Sequence, residues 1–485
     1  MRNLIKRISA LLLCLLLVLS LPVTALAEEA KDTDEAAAAE EGTTLRILRQ
    51  KQFLDFTENC RLDSYSRNLS VVLLTDIDLT GVDFAGIPIF CGNFDGNGHT
   101  VSGLSITRGG SNMGLFRYVD ASALIQNLTV SGEIIPDGSR SAVGGIAGHN
   151  AGKIQNCFFD GTVSGSDDVG GIAGITSREV TFTQCANTGH ISNDTTAVLS
   201  SGEKPKGGTG GILGVGKSGN VSISLCYNTG TVSGTTIVGG ILGGEAGDYG
   251  TSISNGNPSL TVENCYNAGL LDVGSRTNRI GSLVGFPIAG QYRDGLYVLG
   301  SSSRQAKGWF SSQGECITVL DTLTAAAINR TGDMVDSIAQ LNSGCPLFMW
   351  QLEETASRSA VIAYLRSYYT DNVRTAATPA QRDALETQLA ETEAVINAPA
   401  SKAPAIVEAY ETMLSAMNAD TLVQAAKDEA KAELNRLKED SAKTYPAIKD
   451  KLKALLDDRL AALDKCKAGA EVQSCVDAFA AGVVD

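Results

Sequence analysis

Residues Val143–Gly165 read VGGIAGHNAGKIQNCFFDGTVSG, and the chain returns to nearly the same sentence three more times. From Val169 it runs VGGIAGITSREVTFTQCANTGHIS, and from Thr209 it runs TGGILGVGKSGNVSISLCYNTGTVSG. From Val238 it runs VGGILGGE, followed after an extra segment by LTVENCYNAGLLDVG. An earlier copy opens at Met113 and a fading one at Ile280, so the first glycines are Gly114, Gly144, Gly170, Gly210, Gly239 and Gly281. Units that repeat at ~20–50 residues cannot bury an apolar face alone and must stack on their neighbours. After each repeat cysteine a glycine follows at +4 and an aliphatic residue at +6: Gly161 and Val163, Gly189 and Ile191, Gly230 and Val232, Gly269 and Leu271. Even offsets put the cysteine and the aliphatic residue on one face of an extended segment. The shortest copy, 26 residues from Gly144 to Gly170, is too short for a propeller blade of ~40–50. A three-sided parallel β-solenoid fits, with Gly-Gly pairs at tight corners.

Cys157, Cys185, Cys226 and Cys265 occupy one repeat position and are expected to form a ladder. Rungs of a parallel sheet lie ~4.8 Å apart, and in-register side chains keep Cβ atoms beyond the ~3.8 Å that a disulfide prefers. The ladder is therefore expected to be buried and reduced, acting as small apolar filler. Its thiols do not converge on one point, so no metal site is expected.

Composition divides the chain. Of 52 glycines, 49 lie between Thr43 and Glu353, whereas the last 132 residues hold two glycines and 30 alanines. The first region suits strands and turns, the second helices. Ahead of them, residues 1–27 have the form of a signal peptide: Arg2, Lys6 and Arg7, then apolar Leu11–Leu19, then Ala25-Leu26-Ala27. Residues 28–42 hold seven acids and one lysine and are expected to be a solvated linker. Loss of the three signal bases takes the formal charge from −15 to −18, which disfavours nucleic acid and anionic lipid as partners. No further stretch approaches the ~20 apolar residues of a membrane span, so no membrane insertion of the mature chain is expected.

The VGGI-x-G…NCYNTGTVSG units resemble the GLUG-type repeats of bacterial cell-surface proteins. Leu74–Ile106, with IPIFCGNFDGNGHTVSGLSI, resembles the segment that opens such arrays, and Leu341–Gln351 (LNSGCPLFMWQ) the segment that closes them. The resemblance covers roughly 43–351 and implies a right-handed parallel β-helix on a secreted or wall-associated protein, typically Gram-positive. It implies no activity. Cys345 stands where the family often has tyrosine before the closing proline.

The tail repeats as well. PAQRDALETQLAETEAVIN from Pro379 and PAIKDKLKALLDDRLAALD from Pro446 are 67 residues apart, aligning Leu385, Leu389 and Ile396 with Leu452, Leu456 and Leu463. Ile406, Tyr410, Met413 and Met417 match Val472, Val476, Phe479 and Val483, one helical stripe each. Two three-helix bundles follow, at 354–419 and 420–485, each expected to close its own core. They resemble small helical modules appended to Gram-positive surface proteins.

Ten cysteines remain once Cys14 leaves with the signal, an even number in an exported chain. Cys466 with Cys475 would bracket a turn between the last two helices; Cys60 with Cys91 and Cys316 with Cys345 are further candidate pairs. The histidines, His99, His149 and His190, form no H-E-x-x-H motif, and there is no G-x-S-x-G elbow and no P-loop. His99 is expected in a tight turn, and Asp167-Asp168 in a charged turn between rungs. No catalytic residue, metal or cofactor is expected. The repeat lengths carry more: insertions stand around Ser192–Gly208 and Glu245–Ser259. An insertion must leave a coil as a loop, and such loops commonly bind. The candidate contacts are Lys204 and Lys206 for an anionic ligand, and Asp248, Tyr249 and Asn255 for sugar or peptide. The expected role is non-catalytic: adhesion to, or interaction with, glycan or protein at a bacterial or host surface. The alternatives are a polysaccharide-degrading β-helix enzyme, lyase or glycosidase, and a purely structural wall component. No LPxTG-like signal closes the chain, so covalent anchoring is not expected.

Overall fold

The computed structural model describes residues 43–484 apart from 139–140, 194–206, 218, 235–236, 246–258, 274–278, 288–289, 294 and 301–316. The expected signal peptide and linker, together with Cys316, lie outside the described residues.

From residue 93 onward the chain traces one path repeatedly through three parallel sheets. Lys153–Gly165 lies in the first sheet, Asp167–Gly170 in the second and Ala173–Thr176 in the third, after which Val180–Thr183 returns to the first. Among the described residues these sheets have eighteen, five and seven strands. Successive coils stay in register. Val163, Ile191, Val232 and Leu271 follow one another in the first sheet. Val143, Val169, Thr209, Val238 and Ile280 do so in the second, and Ala147, Ala173, Leu213, Leu242 and Val284 in the third.

One residue per coil bends the first-sheet strand. Asn127, Asn156, Gln184, Leu225 and Asn264, each immediately before the inward position at 128, 157, 185, 226 or 265, have φ between 49° and 57°. That left-handed step resets the side-chain alternation, so Ile154 and Cys157 both point inward although three positions apart, and both are fully buried. Short polar side chains tolerate this conformation; Leu225 holds it at a penalty of ~1–2 kcal/mol.

Two elements depart from the expected uninterrupted coil over 43–351. Helix α1 (Gln50–Asn59) inserts Phe53 and Phe56 into the open start of the array. Their rings lie 6.0 Å from Phe84, Phe90 and Phe94. The first coil has no preceding coil to cover its apolar layer, and the helix covers it. At the other end, the segment from Leu323 to Gln351 turns back along the outer face of the first sheet. Tyr227 and Tyr266, stacked at 4.8 Å on successive strands, meet Leu323, Ile328, Met334 and Phe348 there. Tyr227 donates its hydroxyl to Gln351 Oε1 at 2.7 Å, Tyr266 donates to the Pro346 carbonyl, and Arg330 donates to the Asn264 carbonyl at 3.0 Å. The closing sequence is thus a strap across several coils, not a plug on the last one.

Six helices form the tail: α2 (Thr355–Tyr368), α3 (Pro379–Asn397), α4 (Ala403–Ala416), α5 (Ala419–Thr444), α6 (Lys449–Leu463) and α7 (Gly469–Val484). Thr378 caps α3 with a reciprocal box: its hydroxyl accepts from Gln381 N–H while Gln381 Oε1 accepts from Thr378 N–H. Pro379 follows at the first helical position. Pro446 instead starts a short 3-10 turn, and α6 begins at Lys449. Helices α5–α7 bury Leu434, Leu456, Leu463 and Phe479 in a core of their own. Helices α2–α4 do not close alone: Ile338, Leu347 and Leu352 from the strap belong to the same core as Leu365, Ile396, Ile406 and Met413. Tyr410 Oη accepts from Ala339 N–H at 3.1 Å, and Lys402 pairs with Glu353 at 2.8 Å. A fragment spanning 419–485 is therefore expected to melt cooperatively by circular dichroism. One spanning 356–418 should be only weakly helical until the strap residues 333–355 are restored; equal helicity with and without them would refute the shared core. No helix among the described residues is long and apolar enough to cross a membrane.

Candidate functional site

The four repeat cysteines are fully or almost fully buried at one register of the first sheet, with Leu128 and Leu296 continuing the column. Each sulfur lies 3.2–3.5 Å from the carbonyl oxygen two residues before it, and Cys226 N–H donates to Cys265 Sγ at 3.4 Å. Burial pushes the Cys157, Cys226 and Cys265 thiols upward, away from reactive thiolate. The carbonyl of Ser224 can accept from a hydroxyl at this place. Cys226→Ser is accordingly expected to cost ~1 kcal/mol, the low end for a buried hydroxyl. A shift in urea midpoint equivalent to several times that would show that the carbonyl contact is not used.

A second column lies beside the first. Asn187, Asn228 and Asn267, two positions after their cysteines, are fully buried. Asn187 Nδ2 donates to Asn228 Oδ1 at 2.7 Å, and Asn228 Nδ2 to Asn267 Oδ1 at 2.8 Å. Each amide also donates to the carbonyl of the glycine two residues on. The Cys-Tyr-Asn-Thr-Gly pattern carried this signal, but asparagine before glycine is equally the mark of a surface turn.

All nine cysteines among the described residues are free thiols. Cys60 and Cys91 sit near each other beneath α1, where Cys91 N–H donates to Ser66 Oγ at 3.0 Å and burial raises Cys60 to about 12. Cys466 and Cys475 face each other across the α6–α7 turn with sulfurs 3.6 Å apart. Neither candidate pair is bridged in this structure, and the second pair is brought together. Cys345 is buried against the strap's own core.

The residues expected to bind, Lys204, Lys206, Asp248, Tyr249 and Asn255, lie outside the described residues. Their roots do not. The first insertion lies between His190–Asn193 in the first sheet and Gly208–Gly210 in the second, and the other between Leu242–Gly244 in the third and Leu260–Glu263 in the first. The two therefore belong to different corners of the coil. Each root holds a buried carboxylate. Asp168, on the strand Asp167–Gly170, is 5% exposed with φ 46°, so the expected charged surface turn is instead part of the second sheet. Its side chain faces Gly207, where an added Cβ would meet both Asp167 Oδ1 and Asp168 Oδ1 within 2.3 Å. Burial first, and Asp167 second, push the Asp168 carboxyl up to about 8. At the other root, fully buried Glu245 accepts from Gly290 N–H at 3.0 Å and from the Tyr292 hydroxyl.

His99, His149 and Glu354 each contact a neighbouring side chain. Asn97 and Gly98 adopt left-handed conformations in a turn where Asp95 Oδ1 accepts from Asn97 N–H, and His99 Nδ1 lies 3.1 Å from Asp76 Oδ1. His149 packs edge-on to Tyr118 and contacts Ser177 Oγ at 2.7 Å; burial, then Lys217, lowers its pKa. Glu354, at the start of α2, accepts from Thr129 Oγ1 at 2.6 Å, and burial raises its carboxyl to about 8. A carboxyl raised in the fold stabilises fully below its unfolded value and loses that contribution as pH rises through the folded one. Melting temperature is therefore expected to fall between about pH 5 and 8, with Asp168 acting in the same direction. Glu354→Gln, which keeps the acceptor for Thr129, should flatten that slope; an unchanged slope would acquit Glu354. Among the described residues, no group of three or more His, Cys, Asp or Glu is placed to hold a metal ion.

The class that coil and columns define is a parallel repeat coil with a helical tail, and one repeat carries a family signature: the GLUG motif matches residues 139–164. Over 148 residues the chain is 32% identical to halomucin of Haloquadratum walsbyi, covering 28% of this chain and 2% of that protein. Over 96 residues it is 34% identical to a protein of Evansella cellulosilytica named as a Gly-rich membrane protein, covering 17% of this chain and 11% of the relative. The chain thus spans a small fraction of the curated relatives it matches. A solved chain from Bacteroides ovatus named as an immunoglobulin A1 protease aligns with 65% of this chain and 94% of its own, at 20% identity and a TM-score of 0.46.

Proposed function

We propose that this chain is an exported, non-catalytic surface protein, a right-handed parallel β-helix that contacts glycan or protein at a bacterial or host surface. Its helical modules serve as stalk or docking units. The observation that carries this proposal is the buried carboxylate at the root of each insertion, Asp168 and Glu245. Burying an acid is unfavourable, and a turn that had merely drifted in length would have no use for one. Asp168 faces Gly207 at the end of the first insertion and Glu245 ties the start of the second to Gly290 and Tyr292, so each carboxylate fixes one root, as the supporting shell of a binding site requires. In sequence, the first insertion carries Lys204 and Lys206, cations suited to an anionic ligand, and the second carries Asp248, Tyr249 and Asn255, an aromatic side chain with polar neighbours suited to sugar or peptide.

The test is deletion. Residues 194–206 or 248–257 are trimmed to the length of the shorter copies, folding is checked by thermal melt, and the mature protein is applied to a glycan array. Loss of retention on either trim is the expected result. Retention at full strength after both trims would remove the insertions from the contact. A polysaccharide-cleavage panel runs beside the array, and new reducing ends or unsaturated products there would establish the enzymatic alternative.

A further inference from the structure

The start of the coil carries an open cleft of about 540 Å³, between α1, the connection 82–88 and the strand Phe116–Val119. That volume lies within the ~300–1,000 Å³ typical of small-ligand sites. Its composition runs against the rest of the molecule. The chain carries a formal charge of −15, yet three arginines from three separate elements converge here: Arg61, Arg108 and Arg117. Two already hold carboxylates, since Arg61 pairs with Glu58 at 3.0 Å and Arg108 pairs with Asp83. Among the described residues, Arg117 is bound by two long contacts, Nε to the Asn112 carbonyl and Nη2 to the Ser111 carbonyl, both at 3.4 Å. Its stem lies flat across Gly86, where an added Cβ would approach Cγ to 2.8 Å, and Gly86 has φ 87°. The same Cβ would also meet the Gly114 carbonyl oxygen at 2.6 Å, so this glycine admits the neighbouring coil as well as the aliphatic stem of Arg117.

We propose that this cleft binds a sugar residue carrying a single carboxylate, a uronate or sialate unit of an acidic glycan, with Arg117 as the principal anchor. A guanidinium presents a planar fork that matches a carboxylate with two parallel N–H donors. Three arginines against Glu58 and Asp83 leave one net positive charge, which suits one anionic group and not a polyanion. Glu58 and Asp83 accept hydrogen bonds from sugar hydroxyls, and Leu54, Val82 and Pro88 offer an apolar wall to the ring. The negative field of the whole chain acts against densely charged ligands such as sulfated polymers. This inference deepens the glycan reading above and rests on it, but uses a different part of the coil.

Isothermal titration of the full mature chain decides it, with sialyllactose and a methyl galacturonoside as singly carboxylated probes, lactose as neutral probe and lactose sulfate as the other anion. Binding of a carboxylated probe at least tenfold tighter than lactose, weakened by salt, is expected. Arg117→Ala and Arg117→Lys should each lower it about tenfold or more, because lysine cannot reproduce the fork, while the thermal midpoint stays within a degree or two. Equal binding of lactose, tighter binding of lactose sulfate, or full affinity in Arg117→Ala would each overturn the cleft assignment. The loop-trimmed protein separates the two proposals: carboxylated-probe affinity that persists after both trims and falls in Arg117→Ala places the site in the cleft alone. Array binding lost on trimming with Arg117→Ala silent does the reverse.

Discussion

Gly211→Ala is expected to lower stability by ~4 kcal/mol or more, the range reached only by a specific structural failure. Gly211 is the second glycine of its pair, and an added Cβ would lie 2.2 Å from the Gly240 carbonyl oxygen and 2.5 Å from Asn228 Cγ. Neither neighbour can yield. The carbonyl belongs to the next coil, whose position is fixed by its own hydrogen bonds, and the amide is held in its column from above and below. The paired glycines of the repeat thus do more than turn a corner; the second one makes room for the buried asparagine. Gly332→Ala is the control, because nothing lies within 4 Å of a Cβ there. Urea melts followed by circular dichroism should separate the two widely. Coincident curves would mean that the coils can spread by several tenths of an ångström at no penalty, against the close packing described.

Asn228→Ala should cost ~3 kcal/mol, nearly as much, by a different route. It removes the bond accepted from Asn187, the bond given to Asn267 and the bond given to the Gly230 carbonyl, each worth ~1 kcal/mol net when the partners stay buried. Asn228→Asp is the sharper form of the experiment. A carboxylate fills the space but cannot donate to Asn267 Oδ1, and when ionised it places a charge in a fully buried column. Its folded pKa should rise, so the variant is expected to be closest to wild type at low pH and to lose stability as pH increases. A midpoint that does not depend on pH would show that water reaches the column.

Much of this architecture was legible because it repeats. Gly144, Cys157 and Val163 recur with their spacing, and recurrence turned three weak local signals into a coil with a register. The asparagine column stands in the same motif but carries no signal of burial there, since an amide in front of glycine looks alike on a surface and inside a stack. Elements present once could not gain from repetition. Helix α1 buries only Phe53 and Phe56, three residues apart, with Leu54 partly buried beside them, within a stretch that is otherwise polar. The strap has no periodicity to find, and its role depends on residues more than 100 positions away, as in Tyr227 to Gln351. Asp168, expected in a charged turn, and Glu245, at the edge of an insertion, are both buried, because sequence gives the charge of a side chain but not the depth at which it ends. Arg61, Arg108 and Arg117 are scattered over 56 positions and meet only because the chain returns to the same wall on successive coils.

The strap also bears on how such a gene can change. Tandem repeats invite unequal recombination, which adds or removes a copy without disturbing those on either side. Here, Thr129, Gln184, Thr229, and the pair Asn264 and Tyr266, on four coils of the array, each contact a particular residue between Arg330 and Glu354. Inserting one coil between Gln184 and Tyr266 would move one set of partners by a full rung, about 4.8 Å, while the strap kept its length. The array is therefore locked at its present copy number, and length variants should arise only together with compensating changes in the segment that spans them.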